Sequence, residues 1–321
     1  MDKQAQLPGS RRAASKPRPG LWVRRAARIA VATSLVGGLG WWVATASATD
    51  PVAAADSYYV SIGDSYAAGY RPSFMGPGAT SRDGFAYRVE EKLRSGSEDV
   101  RLVNFACSGT TAYGMAFDKG CADDARAPGG PEYTDTPQAA AAVDFISEHR
   151  DRIKLVTLGI GANDLLRCAN EADPAQRQTC AEAEVPRVRL SLDSVLERIR
   201  AAVGPNVPIV GVSYINVYLA DALKPDGSAK ADAATILFQN YLNPTLAQTY
   251  SKYGAKFVDT TALAGGYLPS TDKTYLEGHG TVPASIGRVC SLTYYCTDND
   301  PHPNRAGHDL IAGEVEKAVG L

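Results

Sequence analysis

Ser65 stands in Gly63-Asp64-Ser65-Tyr66, directly after the apolar run Tyr58-Tyr59-Val60-Ser61-Ile62. A serine at the end of a strand, on a turn that opens a helix, lifts its hydroxyl above the sheet and keeps its backbone N–H free. One residue can then serve as nucleophile and as oxyanion donor. Three further blocks carry what such a serine needs. Gly109, in Asn104-Phe105-Ala106-Cys107-Ser108-Gly109-Thr110-Thr111, follows the apolar Leu102-Val103 and lets the backbone approach a ligand closely. Asn163, in Gly161-Ala162-Asn163-Asp164, follows Leu155-Val156-Thr157-Leu158 and can aim its amide at a developing negative oxygen. His302, between Pro301 and Pro303 and just before a last helix, is placed to act as a general base. Together these residues describe acyl transfer to a serine.

The other titratable residues read as structural. His149 lies at a charged helix end, His308 on the last helix, and His279 on a loop where it could line a cleft. Asp64 is expected to bond nearby turn amides and hold the serine's turn in shape. Asp164 is expected to brace the Asn163 loop or cap the next helix. The acidic Asp123-Asp124 pair after Cys121 has no metal-ligand spacing, so neither a metal nor a cofactor is expected.

The elements that must position these residues alternate. Strand patterns lie at 57–62, 100–106, 153–160, 207–214 and 255–260, and helix patterns at 84–95, 136–149, 181–203, 231–250 and 304–319. Thr136-Pro137 and Asn304 supply helix starts. The alternation predicts an α/β fold, a doubly wound, mainly parallel five-stranded sheet with helices on both faces. Such sheets bind ligands beyond the carboxyl ends of their strands, where Ser65, Gly109 and Asn163 fall. Long loops are expected near 70–83, 112–135 and 262–303.

With Ser65, Gly109, Asn163 and His302 in four ordered blocks, the chain resembles the SGNH hydrolases, the GDSL family of esterases and lipases, from about Ser57 to Leu321. The resemblance implies a flavodoxin-like SGNH hydrolase fold and a two-step mechanism. Ser65 attacks an ester carbonyl, His302 takes its proton, and water later releases the acyl group. The Ser65 N–H, the Gly109 N–H and the Asn163 amide would hold the oxyanion. The family usually carries Asp three residues before the His, and here that position is Asn299. Three substitutes stay open: the Asn299 backbone carbonyl, a shifted register that brings Asp300 or Asp298 to His302, or the Asn299 side-chain oxygen; a carbonyl from Asn299, main-chain or side-chain, is favoured. The resemblance leads to a hydrolase of short- to medium-chain carboxylic esters or lipids. The alternatives are a deacetylase of acetylated polysaccharide or cell-wall sugars, and a non-catalytic surface binding protein on a hydrolase scaffold.

Residues 1–48 carry eight Lys/Arg and one Asp, then an uncharged run from Ile29 to Thr49 that passes through Ala46-Ser47-Ala48. This reads as a basic leader with a secretory signal peptide, leaving a single domain over 49–321. A second possible cut follows Ala55, Arg24-Arg25 gives a weak match to twin-arginine export, and an uncleaved anchor is the alternative. The expected location is secreted or in the cell envelope, with no stable membrane attachment once the segment is removed. Without the leader 25 basic and 34 acidic residues remain, a net charge of −9 that argues against nucleic acid as a partner. The expected partner is a small ester or lipid, and the expected state a monomer. All six cysteines lie after the leader, which in an exported chain implies three disulfides. Following the habit of secreted bacterial members of the family, the expected pairs are Cys107–Cys121, Cys168–Cys180 and Cys290–Cys296.

Overall fold

The computed structural model describes residues 57–321 apart from 74, 97, 98, 170 and 172. The leader, the signal segment and both candidate cleavage points lie outside the described residues. Five parallel strands form the central sheet: β1 Ser57–Gly63, β2 Val100–Asn104, β3 Ile153–Gly159, β4 Ile209–Val212 and β5 Lys256–Val258. Their order across the sheet is β2-β1-β3-β4-β5. This is the doubly wound, flavodoxin-like arrangement, and every pairing in it is parallel. Because helices cover both faces, β1 is buried at every position and β3 at all but Lys154, so both read as near-continuous apolar runs.

The order reverses at β1. The chain leaves it for β2 on one side and later crosses back to β3 on the other. The gap between the carboxyl ends of β1 and β3 is the point where such sheets open a crevice. Register fixes its floor: Gly63 pairs with Gly159, and a Cβ on Gly63 would meet the Gly159 carbonyl oxygen at 2.3 Å. Gly63 also has φ +146°, so it is glycine for two independent reasons.

Two helices depart from the sequence pattern. The helix expected over 181–203 begins at Pro174 and runs to Val203, capped by Asp173, whose carboxylate accepts from Ala175 N at 2.9 Å. The helix expected over 231–250 runs instead as Ser228–Ile236, a wide π turn at Leu237–Leu242 and Asn243–Lys252. Pro244 explains the widening. Proline has no N–H to donate, and its ring clashes with the carbonyl four residues back, so one looser turn absorbs the conflict. The expected long loops are also partly ordered. They contain the hairpins Tyr70–Ser73/Gly76–Thr80 and Lys273–Leu276/Gly280–Pro283, and the helix Ala112–Phe117.

His308 performs a tertiary helix cap. The helix Phe85–Arg94 starts at Gly84, which has no side-chain acceptor, and Phe85 N donates instead to Nδ1 of the buried His308 at 3.2 Å. Burial, then the positive charges of Arg88 and His302, pushes the His308 pKa down to about 3. The imidazole is therefore neutral in the fold and must compete with a solvated imidazolium in the unfolded chain. The sign follows: His308 contributes fully above its unfolded pKa near 6.5, and the contribution drains as pH falls from there toward 3. Asp64, which burial raises to about 6, slopes the opposite way between pH 3.8 and 6, so parent and variant must be compared. The stability advantage of the parent over His308→Gln should shrink by about 2 kcal/mol between pH 7 and pH 5, at ~1.4 kcal/mol per pKa unit. Urea melts at the two pH values measure it, and a constant difference would contradict a neutral buried His308.

Candidate active site

Ser65 opens the short helix Ser65–Ala68 immediately after β1, and the turn is held from several sides. Asp64 caps the helix, its Oδ1 accepting from Tyr66 N at 3.0 Å and its Oδ2 from the Tyr214 hydroxyl at 2.5 Å. Burial raises Asp64 to about 6, with the Tyr214 and Tyr66 hydrogen bonds and the His302 charge pulling the other way. Burial, then the Asp64 charge, lifts the Tyr214 phenol well above its ordinary value, so Tyr214 donates and does not ionise. A buried amide fixes the preceding residue: Gln138 Nε2 donates to Gly63 O at 3.0 Å while Gly63 N donates to Gln138 Oε1 at 3.1 Å. Asp64 acts as the sequence suggested. Tyr214 and Gln138 could not be foreseen, because both arrive from elements far along the chain.

The His302 loop is docked against this turn. The Tyr66 hydroxyl donates to Pro301 O at 3.0 Å, and the Tyr70 ring lies 4.3 Å from the imidazole. Asp300 Oδ1 accepts from His302 N at 3.0 Å and pairs with His302 Nδ1 at 2.7 Å. This is an aspartate turn closed over Pro301, and it orients the backbone and the ring of His302 with one oxygen. Burial works against the Asp300 charge, but the hydrogen bond and charge of His302 outweigh it and hold the carboxyl below its ordinary value.

The favoured orienting residue is therefore corrected. Asn299 does not face His302. It sits at φ +53°, ends the helical turn Tyr295–Asp298, and accepts from Lys224 Nζ at 2.7 Å through its side-chain oxygen. The left-handed residue turns the chain, so the carboxylate one position later reaches the ring. Asp298 instead pairs with the Thr297 hydroxyl at 2.7 Å. Of the three open substitutes, the shifted register with Asp300 has the contact.

Asn163 lies in the first turn of the helix Ala162–Ala169 after β3, and its Nδ2 donates to Thr110 O at 2.8 Å. That amide carries two hydrogens, so the bond orients the group and leaves one for an oxyanion. Next to it Asp164 ties the two strand ends together, its Oδ2 accepting from Ala112 N at 2.9 Å. Gly109 has φ +84° and lies on the exposed turn beside Cys107–Cys121. It lines an open depression with Ser108 and Thr110, and is absent from the lining of the cavity that Ser65, Asn163 and His302 share.

That cavity is about 330 Å³ and mostly apolar. Ser65, Asn163, Tyr214 and His302 line it together with Leu165, Ala181, Ile215, Leu237 and Phe238, from elements that include the helices Ala162–Ala169 and Pro174–Val203 and the π turn. The six cysteines pair in sequence order, as Cys107–Cys121, Cys168–Cys180 and Cys290–Cys296. Each bridge closes a loop beside one of the Gly109, Asn163 and His302 blocks. His149 stacks on Phe145, with ring centres 4.3 Å apart.

The GDSL-like Lipase/Acylhydrolase family description matches residues 61–310. No curated protein matches the chain. Several solved structures share the fold, two of them lipases. The lipase Lip_vut3 from a goat rumen metagenome is 20% identical, with 82% of this chain and 97% of that one covered and a TM-score of 0.50. The extracellular lipase of Streptomyces rimosus is 18% identical, with 82% and 99% covered and a TM-score of 0.50.

Proposed function

The chain belongs to the GDSL-like lipase/acylhydrolase family, and on that premise we propose that it is a serine ester hydrolase acting on esters with an apolar acyl chain. Ser65 Oγ attacks the ester carbonyl and passes its proton to His302. Asp300 holds the imidazole by its Nδ1 edge and offsets the positive charge that forms. The oxyanion is held by the Ser65 N–H and the Asn163 amide, with the Gly109 N–H as a third donor on the turn that Asn163 grips. The protonated His302 then releases the alcohol, and water, deprotonated by His302, frees the acyl group from Ser65.

A single observation carries the reading. Ser65, Asn163 and an aspartate-bonded His302 line one apolar cavity. The same cavity supports an acyl chain longer than acetyl, because an acetyl group would leave its apolar walls unused. Three disulfides fit an oxidising compartment outside the cytoplasm, as the leader suggests.

Hydrolysis of p-nitrophenyl acetate, butyrate and octanoate by the oxidised protein tests this. The expected result is a kcat/KM that rises by up to about fourfold per methylene, the equivalent of ~0.8 kcal/mol each, until the cavity is filled. Turnover of acetate alone, falling at butyrate, would favour the deacetylase of sugar esters. No turnover of any ester by the folded, oxidised protein would overturn the proposal.

A further inference from the structure

Resting on the ester-hydrolase reading, we propose that a second groove binds the alcohol side of the substrate and selects an uncharged, apolar alcohol. An ester carbon carries two arms, acyl and alkoxy, which diverge from the carbonyl. If the cavity takes the acyl arm, the alkoxy arm leaves on another side of the oxyanion donors. Asn163 lines both the cavity and a more open groove of about 800 Å³ that also includes Thr111, Tyr113, Phe117 and Leu190.

Three large apolar side chains face solvent in this groove: Tyr113 is 59% exposed, Phe117 51% and Leu190 59%. Clustered exposure of this kind marks a surface built to be covered. Tyr113 and Phe117 lie four residues apart on one helix face, with ring centres 5.0 Å apart, and Leu190 reaches the groove from the Pro174–Val203 helix. The aromatic helix is also fastened to the catalytic end. Asn163 donates to Thr110 O at 2.8 Å, Asp164 accepts from Ala112 N at 2.9 Å, and the Thr111 hydroxyl accepts from Gly114 N at 2.9 Å. A ligand gripped by Tyr113 and Phe117 is thus held at a fixed place relative to the oxyanion donor. The charged residues that line the groove are Asp164, Glu184 and Arg187, and Arg187 pairs with Glu184 at 2.9 Å, so the described lining carries more negative than positive charge and disfavours a phosphoryl headgroup. The chemistry matches the alkyl chain of a fatty alcohol or the apolar remainder of an acylglycerol.

The test holds the acyl group at butyrate and varies the alcohol from methyl to hexyl, in the parent and in a Phe117→Ser, Leu190→Ser double variant. Both side chains are exposed, so the fold should survive, which circular dichroism checks. The readout is the ratio of kcat/KM for the hexyl ester over the methyl ester. It should fall about tenfold in the variant, a change of ~1.4 kcal/mol. The ratio of octanoate to acetate at a fixed p-nitrophenyl leaving group reports the cavity and should keep its parental value. An unchanged hexyl-to-methyl ratio in an active variant overturns the groove assignment and leaves the ester-hydrolase reading standing. So does a parent that prefers acetylated sugars and loses that preference in the variant, which would put a saccharide in the groove. A parent inactive on every ester overturns both.

Discussion

Ser65→Ala will lower ester turnover by about six orders of magnitude, the scale seen when a serine hydrolase loses its nucleophile. Substrate should still bind, because the apolar walls of the cavity lie on other elements and Ser65 contributes no apolar surface to them. The loss should therefore fall on kcat and leave KM near its parental value. Folding should hold as well: the turn is fixed by Asp64, Tyr214 and Gln138, none of which bonds to the Ser65 hydroxyl. Steady-state kinetics on p-nitrophenyl butyrate check both parts. A variant with more than about a hundredth of the parental kcat would remove Ser65 from the mechanism.

Asp300→Asn will lower kcat by about 10³ to 10⁴, by analogy with other serine enzymes whose orienting carboxylate is neutralised. Asn299→Gly, which keeps the left-handed conformation, should change kcat only a few-fold, because the Asn299 side chain bonds Lys224 and not His302. The contrast separates the two acceptors that the sequence left open. The pH dependence has a defined sign. Asp300 is held below its ordinary carboxylate value, so its contribution stays present through the normal carboxylate range and is lost only as pH drops below it. Equal losses in the two variants would contradict the shifted register.

Local pattern made the sheet and the turns at its strand ends legible. The position of Gly63, Asp64 and Ser65 on the turn after β1 is legible because β1 is buried throughout and ends in a turn whose cap is two residues away. The same holds for Asn163, which follows a strand as apolar as β1. What could not be read depends on distant partners. Gln138 clamps Gly63 across 75 residues, Tyr214 reaches Asp64 across 150, and His308 caps a helix 223 residues away. The Asp300 register lay between these cases. Asp-Pro is a recognisable turn opener, and an aspartate two residues before His302 can bond its amide and its ring. Choosing it over Asn299 required knowing that residue 299 is left-handed, which a favourable contact with Lys224 helps decide. The π turn was hidden for the opposite reason. Its cause, Pro244, is plain in the sequence, but a proline near a helix break does not say whether the helix will end or widen.

Because Asn163 lines both the cavity and the groove, the proposed site has an asymmetry with consequences for selectivity. The less open apolar cavity is expected to sense the acyl chain by how many methylenes it can bury, whereas the more open groove should tolerate many alcohols of one polarity. The protein should therefore discriminate more sharply among acyl chains than among apolar alcohols.

The most direct test of the central claim is covalent. The oxidised protein is treated with an alkyl fluorophosphonate, its intact mass is measured, and the adduct is mapped by peptide sequencing. The expected result is one phosphonyl group per chain on Ser65, none on Ser65→Ala, and slow labelling of His302→Ala. An enzymatically active protein that takes no label, or takes it on another residue, would contradict an acyl-serine mechanism at Ser65.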